Sequence, residues 1–155
     1  MAQIYVRSLI QQPFLSDELL KRSQTAMMLL IVGTDDPEQE AAKIKPILRA
    51  VDVHFSIISE TSFLFLSPDQ KKPRKSNGAG SQSLEVFYPT LEKEIDKKVR
   101  PGYDVGSYIR RIGSVSKYAI IRPDYIIFAV AKSTSELEQC LCLLKGRLGE
   151  GDALK

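Results

Sequence analysis

The chain has 155 residues, a length that fits one domain burying roughly 70% of the surface exposed by its unfolded chain. Its composition, 43% hydrophobic and 26% charged, excludes disordered and fibrous classes, and a net charge of +3 without a basic stripe argues against a nucleic-acid partner. The longest apolar run, residues 26–32, is too short to cross a bilayer, and the N-terminal residues lack the apolar core of a signal peptide. We therefore expect a cytoplasmic protein without a membrane partner.

The first predicted element is a central strand. Residues 26–32 form a continuous apolar run that stops at Gly33, which is typical of a strand covered on both faces. A second strand is predicted over residues 53–58, where apolar and polar side chains alternate before an apolar end. With a helix between them, these two strands predict one β-α-β unit.

The helix between the two strands has clear start signals. Thr34 or Asp35 is placed to cap it, and Pro37 suits its first turn, where a missing N–H is not needed. Glu40 lies where the positive end of the helix dipole favours a carboxylate. Apolar residues then recur at helical spacing, and Pro46 is expected to kink or split the helix because it removes an interior hydrogen bond.

The middle of the chain is less regular. Residues 67–83 are polar and rich in Pro, Gly and Ser, which predicts a flexible loop; at this length it is either a tolerated insertion, which we favour, or a functional lid. Residues 78–80 lack the Gly-Lys-Ser/Thr ending of a phosphate-binding loop. Residues 84–102 show no clear pattern, and residues 104–112 have helical character ending at Gly113.

The last part of the chain predicts a hairpin and a closing helix. Residues 118–121 and 125–130 read as strands joined by the turn at residues 122–124, and Ser133 and Glu136 have the spacing of a capping box. One face of the helix carries Leu137, Cys140, Leu141, Leu144 and Leu148. The order β-α-β, an irregular connection and β-β-α predicts an α/β fold of the thioredoxin-like kind, with a central mixed sheet flanked by helices in a single domain, residues 1–155.

Four stretches of the chain also resemble a known family. They are residues 15–20 (LSDELL), 29–34 (LLIVGT), 104–113 (DVGSYIRRIG) and 119–130 (AIIRPDYIIFAV). In them the chain resembles the C-terminal thioredoxin-like domain, often described as a dimerisation domain, of fungal phenol hydroxylase-type FAD-dependent aromatic monooxygenases. The chain would be a stand-alone, divergent copy, since Tyr125 follows Asp124 directly where the family usually has an intervening residue. The Arg-Pro-Asp hairpin is the specific part of the match.

The resemblance implies a redox-inactive accessory or dimerisation module. Its partner would be a second copy or a flavin-dependent monooxygenase, and the family-motif residues Arg122, Pro123, Asp124 and Tyr125 would form the hairpin or an interface. The chain has no Gly-x-Gly-x-x-Gly fingerprint and no room for flavin- and substrate-binding domains, so it is not a flavin hydroxylase by itself and no cofactor is expected.

The residues that thiol chemistry and metal binding need are missing at the expected positions. A redox thioredoxin needs cysteines just after the first strand, at the helix start, and residues 33–37 (GTDDP) hold none. Cys140 and Cys142 are better explained as small helix residues, and His/Cys/carboxylate metal-ligand spacing is missing. The sequence therefore predicts neither disulfide exchange nor a metal site.

An enzymatic alternative remains open, although we lean against it. A free domain recruited to secondary metabolism would catalyse isomerisation or cyclisation by proton transfer on an aromatic or polyketide intermediate, with candidate groups His54, Tyr108, Arg122 and Asp124. The four tyrosines Tyr103, Tyr108, Tyr118 and Tyr125 would line an aromatic pocket or a partner interface. Arg122 and Asp124 either satisfy the hairpin tip or bind an anion.

Overall fold

The computed structural model describes residues 5–7, 14–15, 17–34, 36–66, 86–90, 106, 110, 112 and 115–149. The predicted loop at 67–83, Tyr103 and Tyr108 lie outside the described residues. Gly106, Arg110 and Ile112 have helical backbone, in agreement with the helix predicted over residues 104–112.

The described elements are seven strands and three helices. The strands are β1 (Tyr5–Arg7), β2 (Phe14–Leu15), β3 (Met28–Val32), β4 (Phe63–Leu66), β5 (Val86–Pro89), β6 (Tyr118–Ile121) and β7 (Ile127–Ala131). The helices are α1 (Asp17–Ser23), α2 (Pro37–Val51) and α3 (Thr134–Gly149), and a short 3-10 helix, Glu60–Ser62, precedes β4. None of the described helices is long and apolar enough to span a bilayer.

The strands form one mixed sheet in the order β2-β1-β5-β4-β3-β6-β7. β3 is parallel to β4 and antiparallel to β6, with Leu29 opposite Phe63 on one side and Ile120 on the other. β7 is antiparallel to β6, β5 is parallel to β4, and β1 is antiparallel to both β5 and β2. The fold is therefore of the α/β class, as predicted.

Side chains of the central strands alternate between two apolar layers. Leu29 and Ile31 face the layer covered by α2 and α3, and Met28 and Leu30 face the opposite layer. The first layer also contains Ala41, Ile44, Leu48, Phe65, Tyr118, Ile120, Leu137, Leu141 and Leu144. The second contains Val6, Leu64, Leu66, Phe87, Ile112, Ala119 and Ile121. Apolar side chains thus cover both faces of the sheet, which explains the uninterrupted apolar run of β3.

Helix α2 begins at Pro37, as the sequence signals predict, but its cap is Asp36 rather than Thr34 or Asp35. The Asp36 Oδ1 accepts a hydrogen bond from the Gln39 N–H at 3.0 Å, which satisfies one donor of the first turn. The helix is not split at Pro46 and continues to Val51. It ends because Asp52 adopts a left-handed conformation, with φ 59°.

The strand predicted over residues 53–58 is wrong. Residues 54–58 form a turn in which the His54 carbonyl accepts hydrogen bonds from the N–H groups of Ile57 and Ile58, and the strand that pairs with β3 is β4. The apolar alternation does not reflect a strand. Val53 and Ile57 pack against the core, whereas Phe55, which would share their face in a strand, is exposed. This turn also binds the start of β3, since the Ala26 N–H donates to the Ser56 carbonyl at 2.7 Å.

The predicted hairpin is confirmed, with one irregularity. β6 and β7 pair antiparallel, but Ile121 lies opposite Ile127 and Ile120 lies opposite Ala129, so Phe128 is the extra residue of a β-bulge. The bulge turns Phe128 toward the layer under α3, where it packs against the core.

The closing helix α3 is also confirmed, including its start. The Ser133 Oγ accepts a hydrogen bond from the Glu136 N–H at 3.2 Å, and the Glu136 Oε2 accepts one from the Lys132 N–H at 2.8 Å. The predicted buried face is partly right. Leu137, Leu141 and Leu144 are buried and Cys140 is half-buried, but Leu148 is exposed.

Candidate functional site

The position where a thioredoxin-like enzyme would carry its thiols lies between β3 and α2. Gly33, which has a left-handed φ of 69°, ends the strand, and Asp36 and Pro37 start the helix. The two cysteines instead lie on α3, where burial and the nearby Glu136 carboxylate raise the pKa of the Cys140 thiol. A raised pKa disfavours the thiolate, which is the reactive form of cysteine. The start of α2 therefore has no cysteine for thiol exchange, and Cys140 is not activated for it.

The most concentrated polar contact of the described residues lies one turn into α2. The Glu40 side chain is only 3% exposed, and its Oε1 accepts a short hydrogen bond from the Tyr118 hydroxyl. Its Oε2 accepts from the Lys117 Nζ at 2.7 Å, and the Lys43 Nζ lies 3.6 Å away. This cluster, which we call the Glu40 cluster (Glu40, Lys43, Lys117 and Tyr118), connects α2 to the start of β6.

The electrostatics of the Glu40 cluster fix its protonation state. Burial raises the pKa of Glu40, but the hydrogen bonds from Lys117 and Tyr118 and the charges of Lys117 and Lys43 outweigh this effect, and the pKa is lowered. The pKa of Tyr118 is raised, first by burial and then by the hydrogen bond to the Glu40 carboxylate and its charge. At neutral pH the carboxylate is therefore ionised and the phenol keeps its proton.

This arrangement suits structural support better than proton transfer to a substrate. Glu40 and Tyr118 are buried, and both carboxylate oxygens of Glu40 already accept hydrogen bonds. The sequence predicted only that Glu40 interacts favourably with the helix dipole. Its position four residues before Ile44, on the buried stripe of α2, is the signal that would have indicated a buried carboxylate in need of partners.

The residues of the hairpin tip form hydrogen bonds with one another. The Tyr125 N–H donates to the Arg122 carbonyl at 2.9 Å, and the Arg122 N–H donates to the Ile126 carbonyl at 2.9 Å. The Asp124 Oδ2 lies 2.8 Å from the Arg122 Nη2, and its Oδ1 accepts from the Ile126 N–H at 3.3 Å. Tyr125 has φ 62°, and Pro123 occupies the second turn position, where its fixed φ fits. Both charges stabilise the turn, so the geometry favours the hairpin interpretation over an anion site.

His54 lies in the turn after α2 and is exposed. Its Nδ1 accepts from the Ser56 N–H at 3.3 Å and lies 2.7 Å from the Ser56 Oγ, while the Phe55 ring lies 4.5 Å from the imidazole. Among the described residues, His54 makes no hydrogen bond or ion pair with Arg122 or Asp124. The structure therefore brings Arg122 and Asp124 together but gives His54 no direct polar contact with either.

The two described tyrosines of the predicted aromatic group lie on different faces of the sheet. Tyr118 is buried in the layer under α3, and Tyr125 packs half-buried against the opposite layer. These two side chains do not line one pocket.

The β7 edge is the most apolar exposed region near the hairpin. β7 is the last strand of the described sheet on its side, and its sequence IFAVA has no charged residue. Ile126 is 53% exposed and Val130 is 42% exposed. On α3, Leu143 is 64% exposed and lies one turn after Cys140, whose Sγ is 3.9 Å from the Val130 carbonyl oxygen. Sequence reasoning missed this surface because the strand pattern gave no indication of which strand ends the sheet.

Within the described part of the chain, no group of three or more His, Cys, Asp or Glu side chains is placed to hold a metal ion.

Comparison with family models, with curated proteins and with solved structures finds no match to this chain.

Proposed function

We propose that this chain is a thioredoxin-like protein without thiol chemistry. The order and directions of four strands, β7-β6-β3-β4 with only β6 antiparallel to the other three, support this proposal. So does the packing of α2 and α3 together against one face. The place of the redox cysteines is taken by a helix start capped by the Asp36 carboxylate, which provides no nucleophile.

The proposed role is that of a cytoplasmic interaction module that self-associates or docks onto a flavin-dependent aromatic monooxygenase, as the family resemblance implies. The observation that carries this role is the β7 edge, where an uncharged strand lies beside exposed Ile126, Val130 and Leu143. Charges, proline and β-bulges protect edge strands from pairing with other chains. β7 has a bulge at Phe128 but no charge or proline, and its exposed apolar side chains are available for contact with a partner.

Light scattering tests this role directly. The purified protein is measured alone and mixed with a flavin-dependent phenol hydroxylase, and we expect a defined dimer or a stoichiometric complex whose interface exceeds about 1,000 Å². A protein that stays monomeric and ignores the flavoprotein at all accessible concentrations contradicts the role.

A small-molecule enzyme is the second candidate, and one observation favours it. The exposed His54 imidazole is oriented by Ser56, whose N–H and hydroxyl lie 3.3 Å and 2.7 Å from Nδ1, and histidine is the most frequent general acid or base. The test is turnover of aromatic or polyketide-like substrates by variants of His54, Tyr108, Arg122 and Asp124, each changed to a non-ionisable residue. Unchanged turnover in all four variants would contradict the enzyme proposal with these catalytic groups.

A further inference from the structure

We infer that the end of the sheet at which β3 begins binds an acidic, partly apolar segment of another protein. The surface, which we call the basal surface (Arg49, Phe55, Arg147 and Leu148), lies on the last turns of α2 and α3 and on the turn that follows α2. It contains none of the exposed side chains that carry the β7 edge. The inference therefore does not rest on the proposed interaction role.

Contacts between α2 and α3 bring these residues to one end of the molecule. The Lys145 Nζ lies 3.2 Å from the Asp52 Oδ2, so the end of α3 contacts the end of α2. Leu148 lies three residues after Lys145, and Phe55 lies three residues after Asp52. The apolar side chains of the basal surface thus lie on either side of this ion pair.

Phe55 is the apolar anchor of the basal surface. Its side chain is 74% exposed, more than any other large apolar side chain that the structure describes. The turn that carries it is ordered by the His54 carbonyl, which accepts hydrogen bonds from the N–H groups of Ile57 and Ile58, and the His54 ring lies 4.5 Å from the Phe55 ring. Leu148 adds a second exposed apolar side chain. An exposed aromatic ring on an ordered turn suits the core of an interface, because little further ordering is needed on binding.

The basal surface carries positive charge that the chain does not neutralise. The acidic side chains that the structure describes at this end of the molecule already have basic partners, in the ion pairs Arg22–Glu18, Lys45–Glu60, Arg122–Asp124 and Lys145–Asp52. Among the described residues, Arg49 and Arg147 form no ion pair, and the Arg147 guanidinium lies 5.6 Å from the centre of the Phe128 ring. Both arginines lie in the last turn of a helix, where the dipole favours a cation but leaves the guanidinium donors available. They are therefore placed to bind carboxylates, for which arginine has a matching pair of donors.

A polypeptide fits the basal surface better than a layer of phosphates does. Recognition of an anionic membrane by charge uses clusters of about four to eight Lys and Arg residues, and two unpaired arginines fall short of that. The Asp52 side chain, which is 89% exposed, would be repelled by a continuous anionic layer. A polypeptide can place carboxylates at Arg49 and Arg147 and an N–H group at Asp52.

A peptide array tests this inference with the full chain. The array carries short peptides that mix Glu and Asp with Leu, Ile and Phe, and two control sets in which Lys replaces the acidic residues or Ser replaces the apolar ones. We expect binding to the acidic, apolar set alone. Fluorescence anisotropy then measures the affinity for the best peptide, which should fall as salt is added, because salt screens exposed charges. Flotation with phosphatidylserine vesicles is measured alongside.

Two matched pairs of variants locate the binding. Phe55→Ser and Arg49→Gln should each weaken binding of the best peptide by about tenfold. Val115→Ser and Lys132→Gln alter an exposed apolar and an exposed basic residue near the opposite end of the sheet, where the Lys117 N–H donates to the Ala131 carbonyl, and should leave the affinity unchanged. Urea unfolding checks that all four variants are folded.

The outcomes separate this inference from its alternatives and from the proposed role. Weaker binding in Phe55→Ser and Arg49→Gln alone supports the basal surface. Equal binding by all variants overturns it, and so does an array on which no peptide binds. Vesicle binding that is lost in Phe55→Ser and Arg49→Gln, without binding to any peptide, overturns the protein partner in favour of a membrane. Light scattering of Phe55→Ser should match the wild type, because the proposed role depends on the β7 edge.

Discussion

The Glu40 cluster and the β7 edge differ in which groups they bury. The cluster buries a charged side chain, whereas the edge leaves apolar side chains exposed. At the Glu40 cluster a buried carboxylate receives hydrogen bonds on both oxygens from within the same chain. At the β7 edge, apolar side chains of an uncharged strand remain exposed, and Leu143 of α3 is exposed as well. A satisfied buried group stabilises the fold, whereas an edge of this kind favours association. Each region should therefore respond to mutation in a different measurement.

The largest expected effect is on the Glu40 cluster. Glu40→Ala leaves the buried Tyr118 hydroxyl without its acceptor and removes the partner of Lys117, so we expect the free energy of unfolding to fall by about 2–4 kcal/mol. Lys117 is one-third exposed and keeps part of its hydration, which places the loss below that of a fully buried pair. Urea unfolding measures the change. Glu38→Ala, an exposed position in the same turn, is the control and should change stability by less than about 0.5 kcal/mol.

The next effect concerns the edge alone. Leu143→Asp places a charge among the exposed apolar side chains of the proposed association surface, so the dissociation constant of a dimer should rise by about 10- to 100-fold while urea unfolding of the monomer stays unchanged. Leu148→Asp, which alters another exposed leucine of α3, is the matched control. Equal effects of the two variants on dimerisation would show that Leu143 does not lie in the interface.

The pH dependence of stability separates the two regions further. The pKa of Glu40 is lowered in the folded protein, so its contribution is present above the unfolded value of about 4.3 and is lost as the pH falls through the folded value. The wild type should lose more stability between pH 6 and pH 3 than Glu40→Gln, which cannot titrate. Parallel pH profiles from urea midpoints would show that the Glu40 carboxylate is not held ionised by Lys117 and Tyr118.

The smallest effects are expected at the hairpin tip. Arg122→Ala removes an exposed ion pair and should cost less than about 0.5 kcal/mol, whereas Asp124→Ala also removes the acceptor for the Ile126 N–H and should cost about 0.5–1 kcal/mol. Thermal unfolding of the two variants measures this order. A large loss of partner or ligand binding in Arg122→Ala, without a loss of stability, would instead support an anion site.

Local patterns predicted the elements that carry a signal in their own sequence. The continuous apolar run of β3, the start signals of α2 and the paired runs of β6 and β7 all form their elements, although β3 and β7 each begin two residues later than predicted and the cap of α2 is Asp36. β1 and β5 pair with each other from distant parts of the chain, at Val6 and Pro89, and neither segment has a periodic signal of its own. Residues 63–66, which form β4, are four apolar residues in a row, and this pattern left a short strand and a buried turn equally open.

The candidate sites show the same limit. The hairpin tip is a local structure, and its turn residues indicated the reversal but left its charges open between the turn and an anion. The contact between Glu40 and Tyr118 joins residues 78 positions apart, so no spacing rule reveals it. The β7 edge depends on which strand ends the sheet, and that order is a property of the assembled fold.

Sedimentation equilibrium of the wild type and Leu143→Asp, side by side over a range of concentrations, tests the central claim most directly. We expect the wild type to reach twice the chain mass of 17.4 kDa, and Leu143→Asp, with an unchanged far-UV spectrum, to need about 10- to 100-fold higher concentrations to reach the same mass. Identical masses for the two proteins, whether monomeric or dimeric, would contradict association through the β7 edge and α3.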